Sequence, residues 1–143
     1  MSYLLRGVAA AGGVRVIAAD TTDLVETARV RHGTTPTATA ALGRTLTGAL
    51  LLSHVLLKNP QDRVTLRLRG DGPLGGVIAD AGLDGAVRGY VTNPHAELPP
   101  RPDGKLDVGG ALGQGDLQVV RAGERLQDHA AGLHDAGGLD IHA

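Results

Sequence analysis

The run TPTATAALGRTLTGALLLSHVLLK, residues 35–58, constrains the fold more than any other stretch. Thr35 followed by Pro36 opens a helix, because proline suits the first helical position. The helical pattern runs to about Lys58 and carries Ala38, Ala40, Ala41, Leu42, Leu46, Ala49, Leu50, Leu51, Leu52, Val55, Leu56 and Leu57. From Leu46 onward apolar residues fall on nearly every face. A helix apolar all round is buried on several sides, so the rest of the chain must supply layers around it. Gly43, Gly48 and the alanines let those layers approach closely. The uncharged part, Thr45 to Leu57 between Arg44 and Lys58, is shorter than the ~20 residues a bilayer span needs, and Ser53 and His54 interrupt it.

The surrounding segments read as strands and one further helix. YLLRGVAA and VRVIAAD flank Gly12-Gly13 as a β-hairpin. TTDLVETARVRHG reads as a helix. Thr22 or Asp23 caps it, Glu26 closes a capping box on Asp23, Gly33 ends it, and Leu24, Val25 and Ala28 form its apolar stripe. RVTLRLRG alternates, with Val64, Leu66 and Leu68 on one face and Arg63, Thr65, Arg67 and Arg69 on the other, as in a half-exposed antiparallel strand. GGVIADAG and AVRGYVTN follow as strands around an Asp84-Gly85 turn. His95 to Gly115 reads as an ordered loop with little regular structure, and DLQVV as a last strand.

With 143 residues the chain holds one domain with a real core and hardly two. Tyr3 and Tyr90 are its only aromatics, so the core is aliphatic. It has no cysteine, which excludes disulfides, thiolate zinc sites and thiol redox chemistry within this chain. A net charge of −1 gives no electrostatic case for nucleic acid or an anionic membrane. No signal peptide is apparent, and a cytoplasmic location is the default expectation.

Gly70, Gly72 and Gly75 in LRGDGPLGGVIADAG fall on the dinucleotide spacing G-x-G-x-x-G. That fingerprint needs a helix directly after the third glycine, to hold a pyrophosphate at its N-terminus. Here Gly76 is a poor helix starter, Val77 and Ile78 favour a strand, and Asp71-Gly72-Pro73 is turn chemistry. The segment therefore reads as strand–turn–strand, and a dinucleotide-binding enzyme is the low-ranked alternative. A P-loop fails because no G-K-[ST] follows.

RHGTTPTATAALGRTLTGALLL, LRGDGPLGGVIADAG, VRGYVTNPHAELPP and GKLDVGGALGQGDLQVV, in that order, resemble the N-terminal core of Hsp33, the redox-regulated 33 kDa chaperonin family of bacteria. The resemblance runs from about Tyr3 to Val120. It implies an α+β fold, with mixed or antiparallel sheets layered around a buried central helix and incomplete on the C-terminal side. It also implies a holdase that binds unfolded or misfolded client proteins without ATP, and a homodimer through the same core. In that family four C-terminal cysteines hold zinc and form the redox switch. This chain has none of them, so no zinc and no other cofactor is expected. The expected organisation is a partial core at 1–121 and a divergent tail at 122–143, with the zinc domain absent. The tail's Ala/Gly/Asp/His-rich text is consistent with a shifted reading frame, and a truncated, non-functional fragment is the alternative to a working chaperone core.

Other residues that invite a chemical reading have plainer ones. His129, His134 and His142 with Asp128, Asp135 and Asp140 have no known ligand spacing and read as a solvated tail. His32 suits a helix C-terminus, and His54 reads as a satisfied core histidine. Arg63, Arg67, Arg69 and Arg88 read as a sheet face paired with acids, since two tyrosines offer little base stacking. Asp71, Asp80, Asp84 and Asp107 lie near glycines and read as turn residues. Ser2 and Ser53 are the only serines, and no nucleophile–base or paired-carboxylate arrangement is visible, so no enzyme is expected. NPHAELPP with GKLDVGG reads as a cover over a sheet edge, with a client or dimer surface as the functional alternative. No residue is singled out as client-binding.

Overall fold

The computed structural model describes residues 1–123. The elements are β1 (Tyr3–Ala9), β2 (Val14–Asp20), α1 (Thr22–His32), α2 (Pro36–Leu56), β3 (Arg63–Gly70), β4 (Gly76–Gly82), β5 (Val87–Val91), α3 (Val108–Leu112) and β6 (Gly115–Ala122). β1 and β2 form a two-stranded sheet, and the other strands form an antiparallel sheet in the order β5-β4-β3-β6. The expected α+β layering around a central helix is therefore present. From residue 124 on, the tail expected at 122–143 lies outside the described residues.

α2 starts where Thr35 accepts a hydrogen bond from the Ala38 amide at 3.3 Å, with Pro36 in the first turn. One side of the helix buries Ala38, Leu42, Leu46 and Ala49 on the inner face of the large sheet, against Val64, Leu66, Val77, Ala79 and Ala81. Those sheet residues alternate along β3 and β4, as a half-buried sheet requires. The methyl end of Leu46 rests on Gly89 of β5, where any side chain would push it away. The other side of α2 is only partly covered. Val25 of α1 packs on Gly43, and the Thr21 and Thr47 hydroxyls meet at 2.7 Å. Val55 and Leu56 are exposed, so the burial on several sides expected of this helix is incomplete at its C-terminal end.

Several local expectations are corrected. Neither Thr22 nor Asp23 caps α1. Asp20 instead accepts from the Thr22 amide at 3.0 Å and the Thr22 hydroxyl at 2.7 Å, and those bonds hold its carboxyl below the usual range. Asp23 pairs with the N-terminal ammonium, and Glu26 pairs with Arg29 at 2.7 Å, so no capping box forms. Gly33, left-handed at φ 60°, does end the helix. The 95–115 segment contains α3, whose N-cap is Asp107, accepting from the Gly110 amide at 2.9 Å. Asp80 is no turn residue. It sits mid-strand on β4, whereas Asp84 does close its turn on the Ala86 amide at 3.0 Å.

His54 is not the satisfied core histidine expected from the sequence. It is half-buried on α2, and its Nδ1 is buried without a hydrogen-bond partner. Burial, and then the Arg6 charge on β1, push the imidazole below its ordinary value.

The glycine segment is a turn packed against another turn. Gly70 and Gly72 lie against the carbonyls of Leu112 and Ala111, so a Cβ at either would collide with the α3 backbone. Gly75 has φ 74°.

Two outcomes follow. Gly72→Ala must displace backbone, so it should lower unfolding stability by about 1–3 kcal/mol. Gly7→Ala, with nothing near its Cβ, should change it little; paired thermal melts measure both. The depressed His54 value means that the unfolded chain takes up a proton before the folded one does. Its contribution is complete above pH ~6.5 and is lost as pH falls from there through the folded value. The melting temperature should therefore drop as pH is lowered from 7 to 5, and His54→Gln should flatten that slope.

Candidate functional site

The described residues that could act on a partner are apolar and exposed. On α2, Arg44, Leu51 and Val55 recur at helical spacing on the side away from the core, with Gly48 at its margin beside Leu66 of β3. With α1, Arg44 and Leu51 bound an open groove of about 800 Å³, whose floor is Ala40, Gly43 and Gly48 and whose flank is Val25. Two cations line it. Arg29 is already paired with Glu26, while Arg44 has no ion pair among the described residues. The groove's threonines bond to one another, Thr21 to Thr47 and Thr34 to Thr39 at 2.6 Å, which leaves the floor mainly apolar.

The β1–β2 hairpin carries a second exposed apolar face. The register Tyr3↔Asp20, Leu5↔Ala18, Gly7↔Val16 puts Tyr3, Leu5, Val14 and Val16 on one face. They are 51%, 60%, 48% and 54% exposed, whereas on the opposite face Leu4, Ile17 and Ala19 are half-buried and only Val8, near the hairpin tip, is an exposed apolar residue. Contiguous exposed apolar residues of this kind mark interaction sites. The sequence held the signal, since alternation in YLLRGVA and VRVIAAD already places these four together, but a lone hairpin does not say which face is covered.

The arginines expected to form a paired sheet face do so in part. Asp80 accepts from Arg63 Nε at 2.8 Å, Arg88 Nε at 3.3 Å and the Thr65 hydroxyl at 3.0 Å, and Arg63 also reaches Asp84 at 3.3 Å. Arg67 and Arg69 share that face with no ion pair among the described residues. Ile78 and Tyr90 lie opposite each other there, beside Arg67, and were not singled out from the sequence.

Gly70, Gly72 and Gly75 offer nothing to a pyrophosphate. The amides of Gly70, Asp71, Gly72, Leu74 and Gly75 all donate to backbone carbonyls, with Gly72 bonded to Leu112 at 2.8 Å and Leu74 to Ala111 at 2.9 Å. A strand follows Gly75 where the fingerprint requires a helix. The loop at 93–100 seats on the start of α2: Thr35 Oγ1 donates to the Ala96 carbonyl at 2.6 Å and Thr37 Oγ1 to Glu97 at 2.7 Å. It thus clamps a helix end, where a cover over a sheet edge was expected. Ser2 Oγ accepts from the Leu24 amide, and buried Ser53 Oγ donates to the Leu50 carbonyl, so neither faces a base. His129, His134, His142, Asp128, Asp135 and Asp140 lie outside the described residues. No helix among the described residues is long and apolar enough to cross a membrane.

The fold and these segments have close counterparts. The family model described as "Hsp33 protein" matches residues 2–135. A 33 kDa chaperonin of Thermus thermophilus is 60% identical over 122 residues, covering 85% of this chain and 36% of that protein. One from Acaryochloris marina is 58% identical over 118 residues, covering 82% of this chain and 39% of that protein. The crystal structure of the 33 kDa chaperonin (heat shock protein 33 homolog) of Thermotoga maritima superposes with a TM-score of 0.83 at 37% identity, over 97% of this chain and 44% of that one. The chain thus spans less than half the length of these relatives. Matching residues along most of its own length, in the same architecture, place it: the chain belongs to the Hsp33 family.

Proposed function

We propose that this chain acts as a holdase core, which binds unfolded or misfolded polypeptides and keeps them from aggregating without using ATP. The observation that carries this reading is the exposed apolar residues on the open side of α2 and on the hairpin, in a family whose members are named chaperonins. Holding an unfolded chain on such a surface withdraws it from the aggregating pool by mass action. No catalytic step is involved, and no cofactor, nucleic acid or membrane. The partners are unfolded cytoplasmic proteins and a second copy of the core in a homodimer. With no cysteine in the sequence, the activity does not depend on oxidation of its own thiols.

The test is light scattering from a heat-unfolded model client, with the protein titrated in under reducing conditions and then with peroxide. Suppression should saturate near a stoichiometric ratio and be equal in both conditions. Co-aggregation, or no suppression from a chain that also lacks a cooperative melt, would instead identify a non-functional fragment. Suppression that appears only with peroxide would contradict thiol independence.

A further inference from the structure

β2 packs on α2. It leads into the helix contact where the Thr21 and Thr47 hydroxyls meet at 2.7 Å. His54 lies two turns further along the same side of α2, and Arg6 on β1 is close enough to act on its charge. The hairpin thus runs over the last turns of the helix. Its inner face carries Leu4, Arg6 and Val8, opposite Ala19, Ile17 and Arg15. The Tyr3–Asp20 end is anchored, since Ser2 Oγ accepts from the Leu24 amide at 3.1 Å and Asp20 accepts from the Thr22 amide at 3.0 Å. Between that anchor and the tip Leu4, Ile17 and Ala19 are half-buried, and no residue is fully buried. Lifting the hairpin therefore gives up little apolar burial, which makes it a unit of low local stability.

His54 is the polar group beneath it. Its Nδ1 is buried by the described atoms themselves and has no hydrogen-bond partner, so further chain could only deepen that burial. A neutral ring leaves one bond unmade. A protonated ring adds a charge beside Arg6 and carries an N–H on both nitrogens. The other charges around it give no relief. Arg15 shares the inner face of the hairpin, Lys58 follows the end of the helix, and no acid stands among the inner-face residues. Asp20 is bonded to Thr22, Asp23 is paired with the N-terminal ammonium, Glu26 with Arg29, and Asp62 with Asn59 and Arg121. The last turn of a helix favours a cation. Burial and then Arg6 outweigh it and hold the imidazole below its ordinary value.

We propose that the β1–β2 hairpin is a pH-gated flap on α2, closed over neutral His54 and lifted when that ring takes up a proton. Lifting gives Nδ1 water as a partner and moves Arg6 away from the new charge. The sign follows from linkage. The closed form is fully favoured above pH ~6.5, the ordinary histidine value, and loses that advantage as pH falls from there through the closed-form value. An opened flap uncovers Leu4, Ile17 and Ala19, so acid enlarges the exposed apolar surface. The flap is a property of the fold and does not depend on the holdase reading.

The chain has no cysteine, so single introduced thiols report on the flap directly. Ile17→Cys places a thiol on the inner face, and Val16→Cys places one on the outer face of the same strand. Their rates of reaction with 4,4′-dithiodipyridine are taken as a ratio, which cancels the effect of pH on the thiol itself. From pH 8 to pH 5 the ratio of inner to outer rate should rise about threefold or more, as a minor open state gains population. With His54→Gln it should stay flat. With Arg6→Glu it should fall instead, because the closed hairpin then holds a carboxylate beside the protonated ring. Ser53→Cys, on the buried side of α2, should gain no reactivity. A ratio that does not change with pH overturns the proposal. So does a rise that survives His54→Gln, or an equal gain at Ser53→Cys, which would mean that the whole fold loosens. Should Ile17→Cys free the hairpin by itself, with inner and outer rates already equal at pH 8, the smaller change Ala19→Cys against Ala18→Cys decides in the same way.

Discussion

The packing of α2 onto the inner face of β3, β4 and β5 is the interaction on which the rest of the structure depends. It joins Leu42, Leu46 and Ala49 to Val64, Leu66, Val77, Ala79 and Ala81 in a core with no buried aromatic ring. Such a core must reach close contact by other means. Small residues provide it, through alanines on both layers and Gly89 beneath Leu46. Where aliphatic side chains interdigitate this closely, a single added methylene is felt. The same economy explains why the helix can have an open side at all. Its small residues on that side, Ala40, Gly43 and Gly48, expose little apolar area each, while Leu51 gives the groove its apolar character.

The glycine segment shows how a motif can be present in letters and absent in physics. Gly70 and Gly72 are needed because the α3 backbone passes too close for any side chain. Gly75 is needed for its positive φ. Each amide that would cradle a phosphate is spent on a backbone carbonyl, either of its own turn or of residues 111–114. The three glycines serve two close approaches and one turn, none of which requires a ligand.

Much of this was legible in the sequence. The alternation in RVTLRLRG, the Asp84-Gly85 turn, Thr35-Pro36 and Gly33 each reflect a local rule, and each holds in the structure. The failures concern residues whose partners are distant in sequence. Asp80 was assigned to a turn by its neighbours, yet Arg63 and Thr65 claim it from across the sheet. Asp23 and Glu26 had the right spacing for a capping box, but the terminal ammonium and Arg29 compete for them. His54 has a buried Nδ1 without a partner and feels the charge of Arg6 from β1, a neighbour that the sequence of its own helix does not reveal. Competition of this kind cannot be read from spacing.

Exposed apolar faces are hazards in an ordinary protein and would be working parts in a chaperone core. The distinction rests on what surrounds them. Asp80 with Arg63 and Arg88 keeps part of the outer sheet face charged, so the sheet is not uniformly adhesive. The groove on α2 is walled by α1 through Val25 on Gly43 and by the Thr21–Thr47 contact, which hold it open without filling it.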